Sequence, residues 1–175
     1  MPLKIFLNGH LRNNFFKGLK VNKTGKTTQE LFASGFFCAE SVLKAVALEN
    51  GADAVILPAI ATGFCGGMSR HAQMCGAVTG GIMGLGLVFG RNTVEDKTQI
   101  CYAAVSDFLR AFKDIHGSLN CKDLIGYDLG VPEEAEQFRK ENPGYEKCVR
   151  FSMDAASMVQ DIIDTNNQYK SPSHK

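Results

Sequence analysis

The chain reads as an all-α protein, a compact helical bundle built round a glycine-rich central helix. Three observations point there. Apolar residues recur at the three-to-four-residue spacing of a helix face in one window after another. Helix start and stop signals bracket those windows. A small-residue, apolar stretch over 74–89 carries Gly76, Gly80 and Gly84 four residues apart, so that they line one helix face.

The elements follow in order. Thr27 and Glu30 have the spacing of a capping box, which predicts a short helix through Leu31 and Phe32 that Gly35 interrupts. A second helix is expected over 37–50, with Cys38, Val42, Ala45 and Val46 on one stripe and Gly51 as its left-handed stop. The segment 54–62 contains Pro58 and is read as a helix with proline in its first turns. After a glycine turn at 63–67 comes the small-residue helix, whose bare face is a packing seam, within the chain or across a two-fold axis. Each glycine there costs about 1 kcal/mol against alanine, a penalty that close packing or a site offsets. Thr93 and Asp96 are expected to open a long helix with Ile100, Cys101, Val105, Phe108, Phe112 and Ile115 inward and Gly117 as its stop. Pro132 begins an exposed, Glu-rich helix. The last helix is expected over 146–165, with Phe151, Ala155, Met158, Val159 and Ile162 inward.

With 175 residues, 45% hydrophobic and 21% charged, the chain can bury one substantial core and has no bias toward disorder. One cysteine-bearing domain over 27–165 is expected, flanked by a basic arm over 1–26 and a fraying tail over 166–175. The arm holds Lys4, Arg12, Lys17, Lys20, Lys23 and Lys26 and no acid, yet the net charge is only +1. That balance gives the body no reason to bind nucleic acid, and the arm is read as a solvated extension. Ile5, Phe6 and Leu7 run straight into Asn8, Gly9 and His10, so no secretory leader is seen, and a cytoplasmic location is expected. The 74–89 stretch holds five glycines and is shorter than the roughly 20 apolar residues of a membrane span, so it is read as a core helix.

Six cysteines in a reducing compartment are free thiols, metal ligands or redox groups rather than a disulfide framework. Cys38, Cys75 and Cys148 fall near predicted helix starts, and Cys121 follows Ser118 and Asn120, either of which can cap a short helix through Ile125. Helix N-termini present unpaired amides and partial positive charge, which predicts lowered thiol pKa values at all four. Cys101 occupies an ordinary core stripe. Cys65, in the glycine turn, stands near Cys75 in sequence without requiring a role. Spacing alone gives weak support for a shared site, because no C-x-x-C occurs.

The segments G-F-F-C-A-E-S-V-L (35–43), A-T-G-F-C-G-G-M-S-R (61–70) and C-G-A-V-T-G-G-I-M-G-L-G (75–86), followed by single cysteines at 121 and 148, resemble the C_GCAxxG_C_C family of redox-active proteins. The resemblance spans about 29–160 and includes Phe108 and Phe112 ahead of the third cysteine. It implies a helical domain with four characteristic cysteines, mapped onto Cys38, Cys75, Cys121 and Cys148. Cys65 and Cys101 are outside that set, and Cys65 stands where another glycine of the turn is expected. The family is similar to a domain of the split-Soret cytochromes, dimeric multihaem proteins with an iron-sulfur centre. This chain has no C-x-x-C-H, so covalent haem is excluded.

Three functions follow. In the first, the protein transfers electrons, with Cys38, Cys75, Cys121 and Cys148 binding an iron-sulfur cluster and Gly66, Gly67 and Gly76 letting backbone amides approach the sulfurs. In the second, the same cysteines carry metal-free thiol-disulfide or sulfur-transfer chemistry, which asks for an exposed attacking thiol of lowered pKa. In the third, they hold a structural zinc ion in a helical interaction domain. Arg70 beside the turn either steadies thiolate or cluster charge, binds an anion or is simply exposed, and His71, four residues before Cys75, can share a helix face with it but is read first as a solvated histidine near a helix start. The glycine turn lacks a following Gly-Lys-Ser/Thr and is not a phosphate loop. The expected partners are an unidentified redox protein and, from the dimeric relatives, a second copy of the chain.

Overall fold

A computed structural model describes residues 20–53, 55–142 and 145–168, and among these the fold is helical throughout, with a single isolated β-bridge. The right-handed helices are α1 (Lys23–Ala33), α2 (Cys38–Glu49), α3 (Leu57–Ala61), α4 (Gly76–Phe89), α5 (Gln99–His116), α6 (Cys121–Ile125), α7 (Pro132–Glu141) and α8 (Glu146–Gln168). Helices α2, α4 and α8 pack on one another, α1 closes over α2 and α8, and α5 covers the far side of α4 and α8. The core between them holds Val42, Val46, Val78, Leu85, Phe108, Phe112, Met158 and Val159.

Helix α1 begins a turn before the expected capping box. Asn22 is its N-cap: its side-chain oxygen accepts from the Gly25 amide at 3.1 Å, while its amide group donates to the Ser157 carbonyl and to Asp161. Residues 20–26, read as the end of the basic arm, therefore belong to the bundle; residues 1–19 of that arm lie outside the described residues. At the other end α8 runs to Gln168, three residues past its expected end, and the rest of the tail is outside the described residues.

The glycine seam packs within the chain. An ideal Cβ at Gly80 would stand 2.8 Å from the Ala39 carbonyl oxygen and 2.9 Å from Val42 Cβ, and one at Gly84 would stand 3.0 Å from Val46. Backbones of α2 and α4 thus touch, and the seam is used up inside the monomer. Two expectations need correcting on α5. It starts at Gln99, because Asp96 instead accepts from the amides of Asn92 and Thr93 in the preceding turn. Ile115, expected inward, is exposed. Gly117 ends the helix at φ 85°, as its sequence position implies.

One buried polar pair ties α5 to α8. His116 packs obliquely on Phe112 and edge-on against Phe151, and its Nε2 faces Asp154 Oδ2 at 3.5 Å without a hydrogen bond. Arg150 Nε donates to the same carboxylate at 2.7 Å. Burial holds the His116 pKa below the usual histidine value, Asp154 opposing and Arg150 reinforcing. The unfolded chain then takes up this proton first as pH falls. The stabilisation from burying neutral His116 is present above about pH 6.5 and is lost as pH falls through the folded value, at no more than about 1.4 kcal/mol per pH unit. Urea midpoints at pH 8 and pH 5.5 check it: the acid-side loss should be smaller in His116→Phe, and an equal loss in both proteins would show that His116 does not contribute.

Candidate redox site

Cys75 and Cys121, 46 positions apart in sequence, are set side by side by backbone pairing. Met74 and Asn120 form an antiparallel bridge, in which the Cys75 amide donates to the Leu119 carbonyl and the Cys121 amide to the Gln73 carbonyl, each at 2.8 Å. Helices α4 and α6 start directly after the bridge, so Cys75 is the N-cap of one and Cys121 the first residue of the other. Ser118 supports this arrangement, accepting from the Asn120 amide and donating to Asp123.

The glycine turn wraps the bridge in an unusual conformation. Gly66, Gly67, Met68, Ser69 and Arg70 all have φ between 54° and 72°. The amides of Ser69, Arg70 and His71 donate four residues back to Cys65, Gly66 and Gly67 at 3.0–3.2 Å. This is one turn of left-handed helix. Met68, Ser69 and Arg70 each carry a cost of about 1–2 kcal/mol there, because Cβ crowds the following carbonyl. The turn brings Gly67 so close that a Cβ on it would lie 2.6 Å from Cys121 Cβ. Gly66 is less crowded, with Arg70 Cγ 3.5 Å from an ideal Cβ.

Cys38 opens α2, held by Glu40, whose carboxylate accepts from the Phe37 amide and from Thr62 Oγ, both at 2.7 Å. The Cys38 sulfur lies against the bare Cα of Gly76, where a Cβ would be 2.3 Å away. Cys65 stands at the mouth of the left-handed turn, its sulfur reaching the Ala61 carbonyl at 3.9 Å and lying near enough to Cys38 for that thiol to raise its pKa. Cys148, in the first turn of α8, is within electrostatic reach of Cys75 and Cys121, and Cys75 is within reach of Cys65. The fold therefore gathers five sulfurs, from Cys38, Cys65, Cys75, Cys121 and Cys148. Cys101, packed against the core of α5, makes none of these contacts.

Cys65 is the member that sequence reasoning left out. Its only signal was its place beside two glycines in a turn preceding Cys75. His71 is exposed, in keeping with its reading as a solvated histidine. The left-handed turn ends at it, α4 does not begin until Gly76, and its exposed ring bonds the Met68 and Ser69 carbonyls instead of facing Cys75. Arg70 is exposed and lines an open groove of about 680 Å³ with His71, Asp128 and Arg139.

Cys65, Cys75, Cys121 and Cys148 are not acidified. Burial, then the Cys121 charge, pushes Cys75 up to about 12 against the pull of the Ala77 and Val78 amides. Burial, then Asp128, pushes Cys121 up to about 11. Cys148 is raised by burial and by Cys75 and Cys121, and Cys65 is raised by the Cys38 thiol and by burial. The Ala77 and Val78 amides do favour the Cys75 thiolate, but desolvation of a buried thiolate outweighs a few amide dipoles. The donor set is soft and suited to zinc or iron-sulfur binding. Among the described residues, however, no three His, Cys, Asp or Glu side chains are disposed to hold one metal ion.

The family model described as "Putative redox-active protein (C_GCAxxG_C_C)" matches residues 36–162. The chain belongs to this family. The match contains all five gathered cysteines, and the family description supports a redox role without specifying a cofactor. No curated protein and no solved structure matches the chain. Among the described residues, no helix is long and apolar enough to cross a membrane.

Proposed function

We propose that this member of the family transfers electrons through an iron-sulfur cluster bound by Cys38, Cys75, Cys121 and Cys148. The observation that carries the reading is that all four cysteines stand at helix starts, Cys75 as the N-cap of α4 and the others in the first turns of α2, α6 and α8, with Cys38, Cys75 and Cys121 buried and Cys75, Cys121 and Cys148 within range of one another's charge. Metal-free nucleophilic chemistry by the same four needs an exposed, acidified thiol, whereas Cys75 and Cys121 are buried and raised.

When bound, such a cluster supplies one-electron redox chemistry at a potential set by hydrogen bonding and solvent exposure. The residues supply its surroundings. Gly67 and Gly76 admit the sulfurs where side chains would block them, Gly66 completes the turn, and the Ala77 and Val78 amides point at Cys75. Arg70, exposed on the turn that follows Cys65, would offer a positive charge to an anionic centre. The Phe108–Phe112 pair and the packed α4 behind the site keep water out.

The test is protein purified without oxygen. Brown colour, with iron and acid-labile sulfide that fall by tenfold or more in Cys75→Ser, is the expected result; the coordinating thiolate cannot be replaced by a hydroxyl without large loss. Colourless protein without iron, or stoichiometric zinc in its place, overturns the reading.

A further inference from the structure

The groove lined by Arg70 lies where two distant parts of the chain meet, the left-handed turn and the loop leading into α7. The approach is close. An ideal Cβ on Gly130 would stand 2.6 Å from the Arg70 carbonyl oxygen, so the bare glycine lets the loop press on the turn. That contact sets the Arg70 backbone beside the start of α7. Arg139 lines the same groove from further along α7, two turns and roughly 10 Å beyond Pro132. The wall along that stretch is apolar, made by Val131, Pro132 and Ala135 above Leu129. At about 680 Å³ the groove has the capacity of a small-molecule site.

Both cations are available to a ligand. Among the described residues Arg70 forms no ion pair, although its backbone is held at φ 69° against its own preference. Asp128 also lines the groove but is occupied: its Oδ1 accepts from the Gly130 amide at 2.9 Å and its Oδ2 lies 3.3 Å from Lys122 Nζ. Glu134, in the first turn of α7, is turned back onto the Asp128 amide at 2.6 Å. Arg139 donates through Nη2 to Glu136, which has a second cation in Lys140 at 3.5 Å; the remaining N–H groups of the guanidinium stay free for a ligand. His71 stiffens the turn side, its Nδ1 lying 3.0 and 3.1 Å from the Met68 and Ser69 carbonyls. A guanidinium is a planar fork that fits a carboxylate with two parallel hydrogen bonds. Two such forks at the ends of an apolar wall fit a molecule with a carboxylate at each end and methylenes between.

We propose that this groove binds a small aliphatic dicarboxylate, one carboxylate on Arg70 and the other on Arg139, with its methylene chain against Val131, Pro132 and Ala135. No cysteine lines the groove, so the proposal goes beyond the cluster reading and does not need it.

The experiment is isothermal titration calorimetry of the full chain with glutarate. Saturable one-to-one binding is expected, with Kd of about 1 mM or tighter. Pentanoate keeps the chain length and loses one carboxylate, and should bind at least about tenfold more weakly. Glutarate should lose at least about the same factor in Arg70→Gln and in Arg139→Gln, and none in Lys113→Gln, which removes an exposed charge from α5. Circular dichroism checks each variant for folding; the two arginines are exposed and lie on different elements, so either variant decides the point if the other misfolds. Absence of saturable binding, equal affinity for pentanoate, tighter binding of inorganic phosphate, or unchanged affinity in Arg139→Gln overturns the proposal. Iron measured on the same sample separates the two readings: glutarate bound by iron-free protein defeats only the cluster, and iron without glutarate binding defeats only the groove.

Discussion

Gly67→Ala is expected to lower the unfolding free energy by about 2–4 kcal/mol, the sum of a left-handed alanine and a crowded Cβ. The first contribution follows from φ 72° at this position. The second follows from the 2.6 Å that would separate the new Cβ from Cys121 Cβ, with Gln73 backbone atoms 3.2 Å away on the other side. Neither neighbour can yield cheaply, because the bridge between 73–75 and 119–121 fixes both. For a domain of this size the melting temperature should drop by roughly 10 °C. Gly66→Ala is the control. Its φ is similar at 64°, but its nearest neighbour is the flexible Arg70 side chain at 3.5 Å, so only the backbone cost of about 1–2 kcal/mol applies. Urea denaturation of both variants decides the point. Equal losses would mean that the turn is not pressed against Cys121.

The second prediction sets two positions on one helix against each other. Gly80→Ala should destabilise by about 1–3 kcal/mol, because the added methyl meets the Ala39 carbonyl at 2.8 Å and α2 must move away. Gly86→Ala adds the same methyl six residues on, where nothing lies within 4 Å, and should stabilise by up to about 1 kcal/mol through helix propensity. Opposite signs from one chemical change would establish that the seam, rather than glycine content, governs α4. Because Cys38 and Ala39 open the helix that would be displaced, the proposed cluster reading expects Gly80→Ala to lower iron content in parallel. A stabilised Gly80→Ala protein would contradict the packing described.

Both predictions concern features that were only half legible in the chain. The four-residue repeat of Gly76, Gly80 and Gly84 marks a close-packed face, but not which backbone fills it. Spacing along one helix says nothing about α2, which the intervening turns deliver to that face. The glycines at 66 and 67 likewise announce a turn. That Met68, Ser69 and Arg70 continue it in the left-handed region runs against their own preferences, and the turn is held by the Gln73 amide donating to the Gly67 carbonyl and Ser69 Oγ donating to the Gly63 carbonyl.

The sulfurs divide along the same line. By itself the sequence determined the helical class, the starts of α2, α4, α6 and α8, and hence that Cys38, Cys75, Cys121 and Cys148 stand at helix beginnings, since caps and periodicity are local signals acting over a few residues. Only the tertiary structure decided that Cys65 lies near enough to Cys38 to be raised by it, and that Cys75, Cys121 and Cys148 are raised rather than acidified. Each of those depends on residues far apart in the chain: the bridge between 74 and 120, the bare Gly76 behind Cys38, and the burial that makes a lone negative charge more costly than nearby amide dipoles can offset.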